Sequence, residues 1–188
     1  IEITQPEELQ VIFDPAEIEV ELGDSTTLQP IINSSLPIGS YAWSPDTYLS
    51  SSTIETPTVR PQNDQNYTLT VIDVNGCTGA GTVRVDVDFN RNVFIPNVFS
   101  PNGDGPNDDF RIFTCNGVTN IKSAQVFDRW GNLMFSSTEL APQCAGVKIW
   151  DGRLNNKLAS PGVYVYVIEI QFLDNISLTY RGDVTLLR

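Results

Sequence analysis

Histidine is absent from this 188-residue chain. Its absence removes the commonest general base, every Ser–His dyad and the usual catalytic zinc ligand sets. Cysteine is scarce: Cys77, Cys115 and Cys144 form no CxxC pair, so a thiolate zinc site has no framework. Basic residues are also few. The 11 Lys and Arg are set against 23 Asp and Glu, a formal net charge of −12. That balance argues against a nucleic-acid partner, which would need clustered cations to meet its phosphates. No apolar run approaches the roughly 20 residues of a membrane-crossing helix, so the chain is expected not to span a membrane. Nothing at the start reads as a signal peptide. IEITQP opens in mid-rhythm, as though residues 1–5 closed a preceding module.

What is present is alternation of apolar and polar residues. IEVELG, TTLQPII, NYTLTVIDVNG and GTVRVDVDF read as half-buried strands up to residue 89. RIFTC, SAQVFDRWGNLMFSS, KIWDG, GVYVYVIEIQFLD and SLTYRGDVTLL continue the pattern beyond it. Gly, Pro, Asn and Ser break the runs. Short strands with regular turn signals predict an all-β chain of two tandem β-sandwich domains, Ig-like over residues 6–88 and a second sandwich over 93–188, joined by a short linker at 89–92. In GVYVYVIEIQF, Tyr164, Tyr166, Ile168 and Ile170 fall on one face and Val163, Val165, Val167 and Glu169 on the other, which predicts a central strand. SLTYRGDVTLLR is expected to pair with it, with Gly182 marking a bulge or kink. Trp43 in YAWSP and Tyr67 before the Asn75-Gly76 turn follow the habit of immunoglobulin-like sandwiches and resemble PKD-like and Ig-like surface repeats. Cys77 is expected to be a lone, buried small hydrophobe.

The densest signal is NVFIPNVFSPNGDGPNDDF, Asn92 to Phe110. Gly103 and Gly105 tolerate positive φ, and the Asn and Asp side chains can bond nearby amides. Ser100, Asn102 and Asp104 alternate, Gly105 follows, and Asp108 comes four residues after Asp104, a partial match to a calcium loop. Ser100 is a poor first ligand, and Arg111 stands where a bidentate Glu belongs. Two readings stay open: a rigid loop tied by its own Asx turns, or calcium held by Asn102, Asp104, Asn107, Asp108 and Asp109.

Five motifs, FIPNVFSPNGDGPNDDF, VFDRWGNLMF, IWDGR, SPGVYVYVIEI and GDVTLLR, resemble in order and spacing the gliding-motility-associated C-terminal domain of Bacteroidota proteins. This is the type B sorting domain of the type IX secretion system. The resemblance covers about the last 96 residues. It implies a non-enzymatic signal domain that sends a large cargo across the periplasm to the cell surface or the medium. The implied partners are the type IX translocon and PorP/SprF-like outer-membrane proteins, which would read a monomeric tag. Pro106 departs from the small aliphatic residue of many relatives, and Cys115 and Cys144 are not general family features. Both cysteines fall in loops, and a disulfide between them is expected, since the oxidising periplasm permits it; two separate buried thiols are the alternative.

For recognition, the expected contact is the terminal strand, Gly182, Asp183, Val184, Thr185, Leu186, Leu187 and Arg188, through strand addition at a sheet edge. A second functional class is an adhesion or carbohydrate-binding module that uses Trp130, Trp150 and Tyr48 as stacking surfaces. Trp130, near a hairpin tip, either folds back over the sandwich end or serves as such a platform. Carboxylates are plentiful, yet no pair is framed as a glycosidase acid and base, so no enzyme is expected. No cofactor is implied beyond the calcium of the loop.

Overall fold

The computed structural model describes residues 8–188; the expected module end at residues 1–5 lies outside them. Among the described residues every regular element is a β-strand. The chain divides into two compact units, Ile1–Asn90 and Arg91–Arg188.

The first unit holds β1 (Gln10–Ile12), β2 (Glu17–Glu21), β3 (Thr26–Thr27), β4 (Ile31–Asn33), β5 (Ile38–Ser44), β6 (Thr58–Val59), β7 (Gln65–Asp73) and β8 (Thr78–Asp88). Four strands form one sheet in the order β2-β8-β7-β5, with β2 parallel to β8. The pairs β1-β4 and β3-β6 are antiparallel. Alternation along β7 buries Tyr67, Leu69 and Val71, and along β8 buries Val83 and Val85; these meet Val11, Phe13, Leu28, Trp43 and Val59 in one core. Burial pushes the Tyr67 hydroxyl up to about 12, and it donates to the Thr47 carbonyl at 2.8 Å. The Trp43 indole N–H donates to the Ile54 carbonyl at 2.8 Å. Both rings therefore bury their apolar bodies with the polar atom satisfied.

Two sequence expectations change here. TTLQPII is not one strand but β3 and β4, interrupted around Pro30, which has no N–H to give a ladder. Cys77 is exposed rather than buried. The turn after β7 is built around the carboxylate of Asp73, which accepts the amides of Asn75 at 2.8 Å and Cys77 at 2.9 Å and so leaves the thiol on the outside. The strand β1 was not anticipated. It lies over β8 where Gly79 and Gly81 remove the side chains beneath it; a Cβ on either would sit 2.4 Å from the Leu9 or the Val11 carbonyl oxygen.

The second unit holds β9 (Val93–Phe94), β10 (Val98–Phe99), β11 (Phe110–Thr114), β12 (Val118–Phe127), β13 (Leu133–Leu140), β14 (Val147–Trp150), β15 (Arg153–Leu154), β16 (Lys157–Leu158), β17 (Gly162–Phe172) and β18 (Ser177–Leu186). The main sheet runs β10-β18-β17-β12-β13, and a smaller one runs β14-β11-β9. β17 is the central strand, as its two-faced apolar pattern predicts. Its inner residues Tyr164, Ile168, Ile170 and Phe172 are buried, whereas Val163 and Val165 are exposed. The core is a run of rings. Trp150 lies 4.8 Å from Tyr164 and 5.6 Å from Phe99, and Phe110 lies 6.1 Å from Phe99 and 5.6 Å from Tyr166. These spacings suit tilted and edge-on contacts, which add to the burial of aromatic area.

Candidate functional site

The loop between β10 and β11 is closed by its own side chains. Asp108 accepts the amide of Gly103 at 2.8 Å through one oxygen and that of Gly105 at 2.9 Å through the other. These two bonds hold its carboxyl below the usual carboxylate range. Asn102 accepts the Asp104 amide at 3.0 Å and donates to the Asp104 carboxylate at 2.9 Å. Asn107 sits at positive φ, and its carbonyl accepts the Ser100 amide at 2.8 Å. Asp109 is taken by two cations, Lys148 at 2.7 Å and Arg111 at 3.1 Å. Each of the three carboxylates expected to serve calcium thus already has an amide or a cation as partner. Among the described residues no three Asp, Glu or Cys side chains converge as a metal cage. The geometry is that of a loop tied by its own turns, with its carboxylates partnered by amides and cations.

Cys115 and Cys144 are joined in a disulfide with their Cα atoms 4.5 Å apart, within the spacing such bonds require. It bridges the end of β11 to the loop before β14.

The terminal strand is divided between core and surface. Val184 and Leu186 are fully buried, while Asp183, Leu187 and Arg188 are exposed. Thr185 and Leu187 donate their amides to the carbonyls of Asn97 and Phe99, so β10 already occupies the outer edge of the last turn of strand. Among the described residues, no strand pairs with that edge from Ser177 to Asp183. Gly182 is not a bulge. It stands in unbroken register opposite Tyr166, and a Cβ there would meet the Tyr166 hydroxyl oxygen at 2.4 Å. Glycine is needed to make room for the ring.

The three stacking candidates are not brought together. Trp150 is in the core, its indole N–H donating to the Arg153 carbonyl at 2.7 Å. Tyr48 packs against the core of the first unit. Trp130 does not fold back; it is 82% exposed at the tip of the β12–β13 hairpin. Asp128 fixes that tip by accepting the amides of Trp130 and Asn132 and the side-chain amide of Asn132, each at 2.8 Å. The Asn132 side chain, followed by the two amides, keeps the Asp128 carboxyl below its ordinary range.

Sequence reasoning missed a groove beside this tip. The β15–β16 hairpin, turned by Asn155 and Asn156 at positive φ, forms its other wall and exposes Leu154 and Leu158. The space between the two hairpins is about 720 Å³ and reaches Pro161, Gly162 and Val163 at the start of β17. The clue available in the sequence was Asn155-Asn156 between Leu154 and Lys157-Leu158, a two-residue hairpin signal.

The family model described as "CHU_C Type IX secretion signal domain" matches residues 93–186. No curated protein matches the chain. Several solved structures resemble it. Dimeric latent PorU from Porphyromonas gingivalis is 14% identical, over 91% of this chain and 19% of that one, with a TM-score of 0.34. Drosophila N-cadherin EC1-4 is 9% identical, over 97% and 50%, at 0.41. The fibronectin(III)-like modules of Clostridium thermocellum CbhA are 13% identical, over 94% and 93%, at 0.33. The chain therefore spans about a fifth of the PorU structure and half of the cadherin one. All three scores are low, and none bears on function.

Proposed function

The chain belongs, through residues 93–186, to the type IX secretion signal domain family, and from that premise we propose that its second unit is the folded sorting tag by which a larger cargo is exported to the cell surface or beyond. The observation that carries this reading is the family match falling within one compact unit, Arg91–Arg188. The first unit is then an Ig-like spacer between cargo and tag. The translocon and a PorP/SprF-like outer-membrane protein are the proposed readers.

Part of the contact is assigned to the terminal strand. Its exposed groups are Asp183, Leu187 and Arg188, and its open backbone edge lies from Ser177 to Asp183. That edge supports recognition by strand addition, in which main-chain bonds supply affinity. Val184 and Leu186 contribute through the core instead, so removal of Gly182–Arg188 would damage the fold before it tested recognition.

The test is export of a fluorescent passenger fused to residues 93–188 in a bacterium with a type IX system. The passenger is expected in the medium or at the surface, whereas a fusion to residues 1–90 stays inside. Retention of both in the periplasm would overturn the sorting role. Asp183→Lys with Arg188→Glu is expected to lower export at an unchanged melting temperature; equal export removes the terminal strand from the contact.

A further inference from the structure

The groove between the β12–β13 and β15–β16 hairpins has the marks of a binding site for a partner segment. Of the large apolar side chains left exposed in the second unit, Trp130 (82%), Leu158 (55%), Val163 (54%) and Leu154 (39%) all line this one space. Exposed apolar residues scattered singly need no explanation, but several gathered around one concavity mark an interaction site. The most exposed of them is held out by construction. Three hydrogen bonds to Asp128 fix the turn that carries Trp130, so the ring is presented on a rigid support. A rigid aromatic anchor lowers the entropy cost of binding and is the residue type most often dominant at interfaces.

Charge selects the occupant. Arg129 and Lys157 also line the groove, and neither makes an ion pair among the described residues. The carboxylate in the lining, Asp128, has its oxygens engaged by the turn and also feels the Arg129 charge, so the groove keeps a single net positive charge. Two exposed cations beside an apolar concavity complement a carboxylate attached to an apolar side chain. The walled shape suits a protein segment better than a flat bilayer.

We propose that this groove receives an acidic segment of the secretion machinery, with one of its apolar side chains set against Trp130 and Leu158 and a carboxylate held by Arg129 and Lys157. The identity of the partner rests on the sorting role above; the chemistry of the segment rests on the groove alone.

The full chain is probed on an array of short immobilised peptides of constant apolar content whose remaining positions are all Glu, all Gln or all Lys. Binding is expected to rank Glu above Gln above Lys. Trp130→Ala, and separately Arg129→Glu with Lys157→Glu, are each expected to weaken binding to the Glu series by ~10-fold or more. Thermal midpoints should hold, because these side chains are exposed. Equal binding of the Glu and Lys series, or a Glu preference that both variants retain, overturns the proposal. So does Trp130-dependent capture of phosphatidylglycerol vesicles in place of peptides, or Trp130-dependent self-association in the ultracentrifuge.

A parallel export assay, with a passenger fused to the full chain, separates the two claims. Failure of the unsubstituted fusion to be exported defeats the sorting role and leaves the peptide result standing. Normal export of both the unsubstituted and the substituted fusions defeats the groove as a contact for the machinery and leaves the sorting role standing.

Discussion

Through residue 90 the chain holds 14 Asp and Glu against 2 Lys and Arg, and from residue 91 onward it holds 9 of each. The entire net charge of −12 therefore belongs to the first unit, and the second is neutral. The two units also reach stability differently. The first buries mostly Val and Leu around Trp43 and Tyr67, and its Cys77 is a free, exposed thiol. The second stacks Trp150, Phe99, Phe110, Tyr164 and Tyr166, and it carries a disulfide. Like charges on one surface keep a body soluble and discourage association while opposing its own compaction. A neutral body with cations outside any ion pair has no such barrier to a partner. The contrast fits the proposed spacer and tag, and it shows how a whole-chain charge conceals a neutral half.

The contrast can be broken most sharply at the terminal strand. Leu186 is fully buried, so Leu186→Ala is expected to destabilise the second unit by about 2–5 kcal/mol. Denaturant unfolding followed by Trp150 fluorescence in a Trp43→Phe, Trp130→Phe background reads that unit alone. An unchanged midpoint would mean that β18 is an appendage and not part of the core.

Reducing the Cys115–Cys144 bond, which closes a separation of 29 residues, is expected to cost the second unit roughly 3–4 kcal/mol by the loop-entropy estimate. The first unit should not respond. Under native conditions a thiol reagent should label Cys77 only.

In the first unit, Gly81→Ala drives a Cβ into the Val11 carbonyl and is expected to cost about 1–3 kcal/mol, as overpacking does. The Trp43 signal should shift while the Trp150 signal stays.

Acid should move the two units in opposite directions. Asp108 and Asp128 have lowered pKa values in the folded second unit, through backbone amides for the first and chiefly the Asn132 side chain for the second. A depressed carboxyl contributes stability that is complete above its unfolded value, about 3.9, and is lost as pH falls through the folded one. The second unit should therefore weaken below about pH 4, and Asp108→Asn should flatten that limb. The first unit should hold or gain over the same range, and gain with added salt, as its self-repulsion fades. Melts that move together would refute the electrostatic contrast. The smallest expected effect is that of calcium. With the loop carboxylates already partnered, saturating calcium should leave the second transition in place, whereas a rise would reveal a native-state site.

The long strands were legible because alternation over eight or more residues has one reading, a sheet with one face buried. β7, β8, β12, β17 and β18 all carry it, and the Asp128–Asn132 hairpin followed from its turn residues. Among the short strands, β1 was not read at all, and β3 and β4 were read as the single strand TTLQPII. Two or three residues have no period of their own, and tertiary pairing makes them what they are, as Val98–Phe99 shows by lying beside Thr185–Leu186. Candidate side chains fared unevenly for the same reason. Trp130 and Trp150 each lie within two residues of a Gly, yet one is 82% exposed and the other is in the core. Nothing local distinguishes them; the ring neighbours of Trp150 come from Phe99 and Tyr164, far away in the chain.

The order of residues alone determined that this is a β protein, that its rhythm changes near residue 90, that no histidine chemistry is available, and that five motifs point to a secretion signal. These are properties of composition, period and spacing, and they survive without any knowledge of contacts. The tertiary structure decided that the loop's carboxylates are already partnered, that Gly182 is a slot for Tyr166, that the last strand is half core, and that two hairpins enclose a groove with Arg129 and Lys157 on its wall. Each of these depends on which distant atoms a fold brings within a few ångströms, and local pattern does not encode that.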